Sequence, residues 1–152
     1  MRLIPVSLIF LIISIGYCSA QPTAVDACVD LKRSERIRFE GVLTHKVFPG
    51  APNYQDVRKG DKPEPAYILH LPKPICVAGD AFIGPDKQID RIQIFPAYQA
   101  DDRPLWAALR ASVGKSVVVE GTEPFGAHTG HHHAPLLLPA TKITVATGRA
   151  PK

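Results

Sequence analysis

From Arg36 the chain alternates between apolar and polar positions. Ile37, Phe39 and Leu43 fall on one side of an extended segment, with Arg38 and Glu40 on the other, the period-two pattern of a half-buried strand. Gly41 in the middle of this run predicts a bulge or bend of the kind that small barrels need. A second strand reads Ala66-Tyr67-Ile68-Leu69-His70-Leu71. Pro72 and Pro74 interrupt it and Ile75-Cys76-Val77 resumes it, so an edge or a bend is expected there. A third strand, Arg91 to Phe95, puts Ile92 and Ile94 on one face. Asp101 and Asp102 then offer a helix cap and negative charge at a helix N-terminus, and Pro104 suits the first turn. Leu105, Ala108, Leu109, Ser112 and Val113 follow at helical spacing, and Gly114 closes the end. A fourth strand runs from Lys115 to Glu120, ended by Gly121. A fifth runs from Pro135 to Val145, interrupted at Pro139, with Leu136, Leu138, Ile143 and Val145 turned inward.

The segments between these elements are turns. Phe48-Pro-Gly-Ala-Pro-Asn-Tyr54, continuing through Lys59-Gly60-Asp61-Lys62-Pro63, and Gly79 to Lys87 are rich in Pro, Gly, Asn and Asp. The order is strand, strand, strand, helix, strand, strand. It predicts a mainly β chain, a small five-stranded OB-fold-like barrel with one helix between strands 3 and 4. A generic α+β sheet is the alternative, but short, bent, Gly-containing strands close more easily than they lie flat. Ile37, Phe39, Ile92, Ile94, Val117, Val119, Ile143 and Val145 from the strands, with Leu105, Leu109 and Val113 from the helix, are expected to face the barrel.

Composition sharpens this picture. The chain's 152 residues suit one domain, and its 15 prolines discourage a helix bundle. Collagen, an acidic disordered tail and a multi-span membrane protein are excluded. The first twenty residues stand apart: Met1-Arg2 begins positively, Leu3 to Tyr17 is almost wholly apolar, and Cys18-Ser19-Ala20 supplies small residues before Gln21. This is the plan of a secretory signal peptide, too short for a membrane span. An uncleaved anchor is the alternative, and Tyr17 is too bulky to precede a lipidated Cys18. The organisation read from the sequence is a signal peptide at 1–20, an N-terminal segment at 21–35, an OB-like domain at 36–146 and a tail at 147–152. The protein is thus expected to be exported, periplasmic or secreted, with no membrane span after cleavage. Cleavage removes Cys18, and an oxidising compartment then leaves Cys28 and Cys76 one intramolecular pairing; two separate buried thiols are the alternative.

Three stretches carry a resemblance. They are Phe48 to Tyr54 with Gly60-Asp61 and Pro63-Glu64; Tyr67 to Val77; and Gly114-Lys115-x-Val-x-Val119 through Gly121, then Phe125 to Thr129-Gly130-His131-His132-His133. Together they resemble the bacterial domain-of-unknown-function family 4431 over roughly Arg36 to Val145, with Gly-His-His-His after Ala-His-Thr as the most specific part. The resemblance implies export and supplies no activity and no catalytic residue. Ala134 departs from it, standing where a hydroxyl residue is expected.

The chemistry on offer is concentrated in one loop. His128, His131, His132 and His133 are four of the chain's six histidines, and imidazole is the commonest ligand for ions such as Zn or Cu. Residues two apart on an extended strand share a face, so His131 and His133 would chelate together, completed by His128 or a carboxylate such as Glu123. The competing account is a loop whose histidines hydrogen-bond and brace the turn, and a pH-sensing role is a further one. His45 and His70 read as structural. The loop carrying Phe48, Asn53 and Tyr54 joins strands 1 and 2, and the His-rich loop joins strands 4 and 5; in an OB-fold these connections flank the binding face, an analogy of fold alone.

The function expected is therefore a small exported binding module with its site at these two loops, its partner an unknown protein or small ligand of the cell envelope. The alternatives are a His-cluster metal-binding envelope protein and an inhibitor or immunity-type partner of a secreted enzyme. A net charge of +4 is too weak and unclustered for nucleic acid. No enzyme is expected, with a hydrolase as the alternative, because no Gly-x-Ser-x-Gly, His-Glu-x-x-His or phosphate loop is present.

Overall fold

A computed structural model describes residues 28–32, 36–84, 87–98 and 101–146. The expected signal peptide at 1–20, most of the segment at 21–35 and the tail at 147–152 lie outside them. The strands are β1 (Val29–Asp30), β2 (Ile37–Pro49), β3 (Pro63–Ala78), β4 (Gln88–Pro96), β5 (Ser116–Gly121), β6 (Phe125–Gly126) and β7 (Leu136–Val145), with α1 (Arg103–Ala111) between β4 and β5. Five of them close on themselves. β2 pairs antiparallel with β3 and with β5, β5 antiparallel with β7, β7 parallel with β4, and β4 antiparallel with β3. This is a mainly β, closed five-stranded barrel with one helix between its third and fourth strands, the OB-like architecture expected.

Closure depends on β2 having two partners. Its first part pairs with β5, from Ile37↔Gly121 to Val42↔Ser116, and its second with β3, from Val42↔His70 to Pro49↔Pro63. The exchange falls at Val42, next to Gly41, where a Cβ would run into the His70 carbonyl oxygen. The glycine is thus required by close approach of two strands at a bend. β3 is continuous where two pieces are expected: its pairing with β4 slips register between His70 and Ile75, and exposed Pro72 and Pro74, which lack an N–H for the ladder, sit inside that irregularity. β2 also runs past Leu43 to Pro49, so Phe48 is a strand residue and the loop proper spans 50–62.

The core is apolar and closed. Leu43, Leu69, Ile89, Ile92, Leu109, Val117, Val119, Leu136 and Leu138 have no exposed surface, and burying each such side chain contributes about 1.5–3 kcal/mol. Phe39 and Ile94 join them, with Ile37, Leu105 and Ile143 partly buried against the same cluster. Two expectations fail. Val113 is 42% exposed because α1 ends at Ala111 and the helical spacing stops with it, leaving Ser112 as the buried residue. Val145 is 45% exposed because it is the last residue of β7. The helix start also differs in detail. Asp102 makes no side-chain capping bond to the backbone; Asp101 accepts from the Arg103 N–H at 3.1 Å, and Asp102 accepts from the Trp106 indole N–H at 3.0 Å.

β1 lies parallel to the end of β3, Val29 opposite Val77. That brings Cys28 beside Cys76, with Cα atoms 4.7 Å apart, and the two form the expected disulfide. Among the described residues no helix is long and apolar enough to cross a membrane.

Candidate functional site

The site is built on the outer end of the β2–β3 hairpin. Phe48 and Glu64 are cross-strand partners, so their side chains stand on one face of the pair. Ala66 and Ile68, two and four residues further along β3, share that face and are buried beneath Ala134 of the loop between β5 and β7, with Phe48 packed beside them. Ala134, where the resemblance leads to a hydroxyl residue, is thus buried among apolar side chains. The Phe48 and His133 rings stack with centroids 4.2 Å apart and planes within 3°.

Glu64 then takes two imidazoles. His131 Nδ1–H donates to Oε1 at 2.6 Å and His133 Nε2–H donates to Oε2 at 3.2 Å. A carboxylate only accepts, so both nitrogens carry the proton. His131 is left with Nε2 as acceptor for the Tyr54 hydroxyl at 3.0 Å, which links the two loops. Gly130 makes room for this contact: a Cβ there would lie 2.8 Å from the Tyr54 ring. Gln93 of β4 completes the brace, accepting from the His133 backbone N–H at 2.6 Å and donating to the His131 carbonyl at 3.4 Å.

The other two histidines of the run form a second group. His128 Nδ1–H donates to the Gly126 carbonyl at 2.8 Å, and the His128 backbone N–H donates to His132 Nδ1 at 3.0 Å. Phe82, 61% exposed, stacks on His128, and the His128 and His132 rings meet edge to face at 4.6 Å. Asp80 ties this turn to β6 by accepting from the Phe82 and Gly126 amides at 2.7 and 2.9 Å. Burial, reinforced by the neighbouring His128, His131 and His133, holds His132 below the usual histidine range.

The β2–β3 loop is organised by Asp61, 4% exposed, which accepts from the backbone N–H groups of Asn53, Gln55 and Asp56 at 2.8, 2.7 and 2.9 Å. The Gln55 and Asp56 amides hold its carboxyl below the usual carboxylate range against the effect of burial, with Asn53 adding to them. Asn53 therefore serves here by bonding Asp61 within its own loop.

Alongside the brace lies an open cleft of about 630 Å³. Leu137 and Pro139 of β7 line it, Phe95 and Phe125 stand at 6.2 Å in an edge-to-face pair, and Tyr98 is fully exposed at its margin. Its polar lining comes from Gln93, Thr122, Glu123, His131 and His132.

Of the residues singled out from sequence, His131, His133, Phe48 and Tyr54 are brought together, whereas His128 and His132 pair separately. The carboxylate that His131 and His133 share is Glu64; neither His128 nor Glu123 completes that pair. Among the described residues, no three of His, Cys, Asp and Glu are arranged to hold a metal ion. Sequence reasoning missed the roles of Glu64, Gln93, Asp61 and Phe125, although an acid opposite Phe48 across a hairpin would have pointed to the first.

No curated protein and no solved structure matches the chain. Residues 91–144, from β4 through α1 and the His-rich loop to β7, match the family model of a domain of unknown function (DUF4431), a narrower stretch than the likeness over Arg36 to Val145 implied, with Phe48, Tyr54 and Glu64 outside it.

Proposed function

We propose that this protein is a small exported binding module whose ligand sits at the cleft lined by the β5–β7 loop, beside the point where His131 of that loop meets Tyr54 of the β2–β3 loop. One observation carries the reading. Among the described residues, Tyr54 at φ 57° and Glu123 at φ 49° are the non-glycine residues with left-handed backbone; Glu123 lines the cleft, and Tyr54 holds the His131 ring that lines it. Such a conformation costs roughly 1–3 kcal/mol and gathers at functional sites. Neither residue lies in a barrel strand. Export rests on the signal-like first twenty residues and agrees with the Cys28–Cys76 bridge.

The test is capture from envelope extract on the immobilised protein. Phe125→Ala and Glu123→Gly should each lose the captured species, while Glu40→Ala, on the exposed outer face of β2, should retain it. Glu123→Gly should keep its stability within about 0.5 kcal/mol of the wild type, as a surface change that relieves a left-handed residue. Equal capture by all the variants would overturn the site.

A further inference from the structure

We propose that the cleft takes an ammonium group carried on an aliphatic stem, with the Glu123 carboxylate pairing the charge and the Phe95 and Phe125 rings holding the stem. The inference rests on the reading of this cleft as the ligand site and names what it selects.

Three features lead to it. The first is charge. The chain carries 18 lysines and arginines against 14 acidic residues, yet among the described residues none of the cleft's lining is lysine or arginine and Glu123 is its one acidic side chain. The second is the state of that carboxylate. Among the described residues Glu123 makes no side-chain hydrogen bond or ion pair, unlike Glu64 and Asp61, which are fully engaged. It is exposed, and its backbone is in the left-handed region. The third is the walls. An ammonium group is attracted to the faces of aromatic rings, and its alkyl stem gains from contact with apolar surface. Phe95, Phe125 and Leu137 supply both. An anion would meet the same cleft without a lysine or arginine to pair with, and burial, with the neighbouring imidazoles, weakens the hold of His132 on a proton.

The ammonium group has two sources, a lysyl side chain on a partner polypeptide or a free alkylamine. The shared chemistry is the same in both, and the experiment separates them. Amide chemical-shift mapping on the ¹⁵N-labelled protein uses three probes of equal length, pentylammonium, pentanol and pentanoate, and then a capped Gly-Lys-Gly peptide. Pentylammonium should move the Glu123, Phe125 and Leu137 signals and bind about tenfold more tightly than pentanol. Added salt should weaken it. Glu123→Gln should abolish that preference, and Phe125→Ala should weaken every probe. Should Glu123→Gln fail to fold, the wild-type ranking and its salt dependence decide alone. Tighter binding of the peptide than of pentylammonium would assign the polypeptide source, and equal binding the free amine.

Equal or better binding of pentanol or pentanoate would overturn the ammonium assignment and leave the cleft as the ligand site. Cleft signals that move on dilution, not on adding any probe, would overturn it in favour of a second copy of the chain. No movement with any probe would overturn it together with the reading on which it rests.

Discussion

Leu138 and His131 both belong to the stretch between β5 and the end of β7, and they are held in unlike ways. Leu138 is fully buried in the barrel, beside side chains that need only to be apolar and of the right size. His131 is on the surface, fixed by Glu64 on one nitrogen and Tyr54 on the other. The barrel is therefore redundant: many non-directional contacts share the work, and no single one defines the geometry. The loop face is specified by a few directional bonds between residues far apart in the chain. The contrast teaches where stability and where function are to be sought. Barrel substitutions should lower stability in proportion to volume lost, while substitutions at the loop face should change shape and binding with little cost to folding.

Leu138→Ala provides the largest expected effect. It should destabilise the protein by up to about 5 kcal/mol, read from urea unfolding, because the barrel can collapse only partly around the cavity. Val145→Ala, at the exposed end of the same strand, should stay within about 0.5 kcal/mol. Similar losses at both would show that β7 is not packed as described. Next comes the bridge. Cys28 and Cys76 are 48 residues apart, and closing such a loop stabilises the fold by roughly 4 kcal/mol in the chain-entropy model. The denatured protein should show no free thiol from these two residues until reduced, and reduction should lower the melting temperature. Full labelling of both cysteines without reductant would remove the bridge.

This division also explains what was legible in the sequence. The barrel was readable because Phe39, Ile92, Ile94, Val117 and Val119 repeat at period two, a local pattern that survives into the structure unchanged. The exceptions, Val113 and Val145, are residues where the period outlasts the element. The loop face was readable only as residue types. The histidine run and the Phe48–Tyr54 loop were visible, but their geometry depends on the Phe48↔Glu64 register and on Gln93 from a third strand. Neither follows from spacing along the chain. The disulfide was legible by arithmetic alone.

A smaller effect bears on whether the histidines brace or chelate. Replacing His131 and His133 together by Ala leaves the Glu64 carboxylate without two of its donors. His131 is more than half exposed, so most of the loss comes from His133, whose side chain is 9% exposed and stacked on Phe48; the total should be about 2 kcal/mol. It should be the same in chelator and in zinc, since both ring nitrogens at Glu64 are engaged by the protein. A wild-type melting temperature that rises with zinc, and no longer does so in the double variant, would instead show binding to the native state and put chelation ahead of bracing.

The smallest effect is in the pH dependence. His132 has its proton affinity lowered by burial first and by the neighbouring imidazoles second. The folded protein therefore binds this proton more weakly than the unfolded chain does, whose histidine titrates near 6.5. The resulting stability is present in full above about pH 6.5 and is lost as the pH falls through the folded value. Bracing adds a structural consequence. Nδ1 of His132 accepts the His128 backbone N–H, and a protonated Nδ1 has no lone pair with which to do so. Acidification should thus release the loop at His128 while the barrel remains intact. In ¹⁵N spectra the His128 amide should shift in step with the His132 ring, and Val119, deep in the barrel, should not move. His132→Gln keeps an acceptor but not the titration, so it should flatten the His128 amide curve and remove the matching part of the fall in melting temperature below neutral pH. A Val119 signal that moves with the same midpoint would mean that the barrel and the loop face are coupled, and the distinction between them would fail.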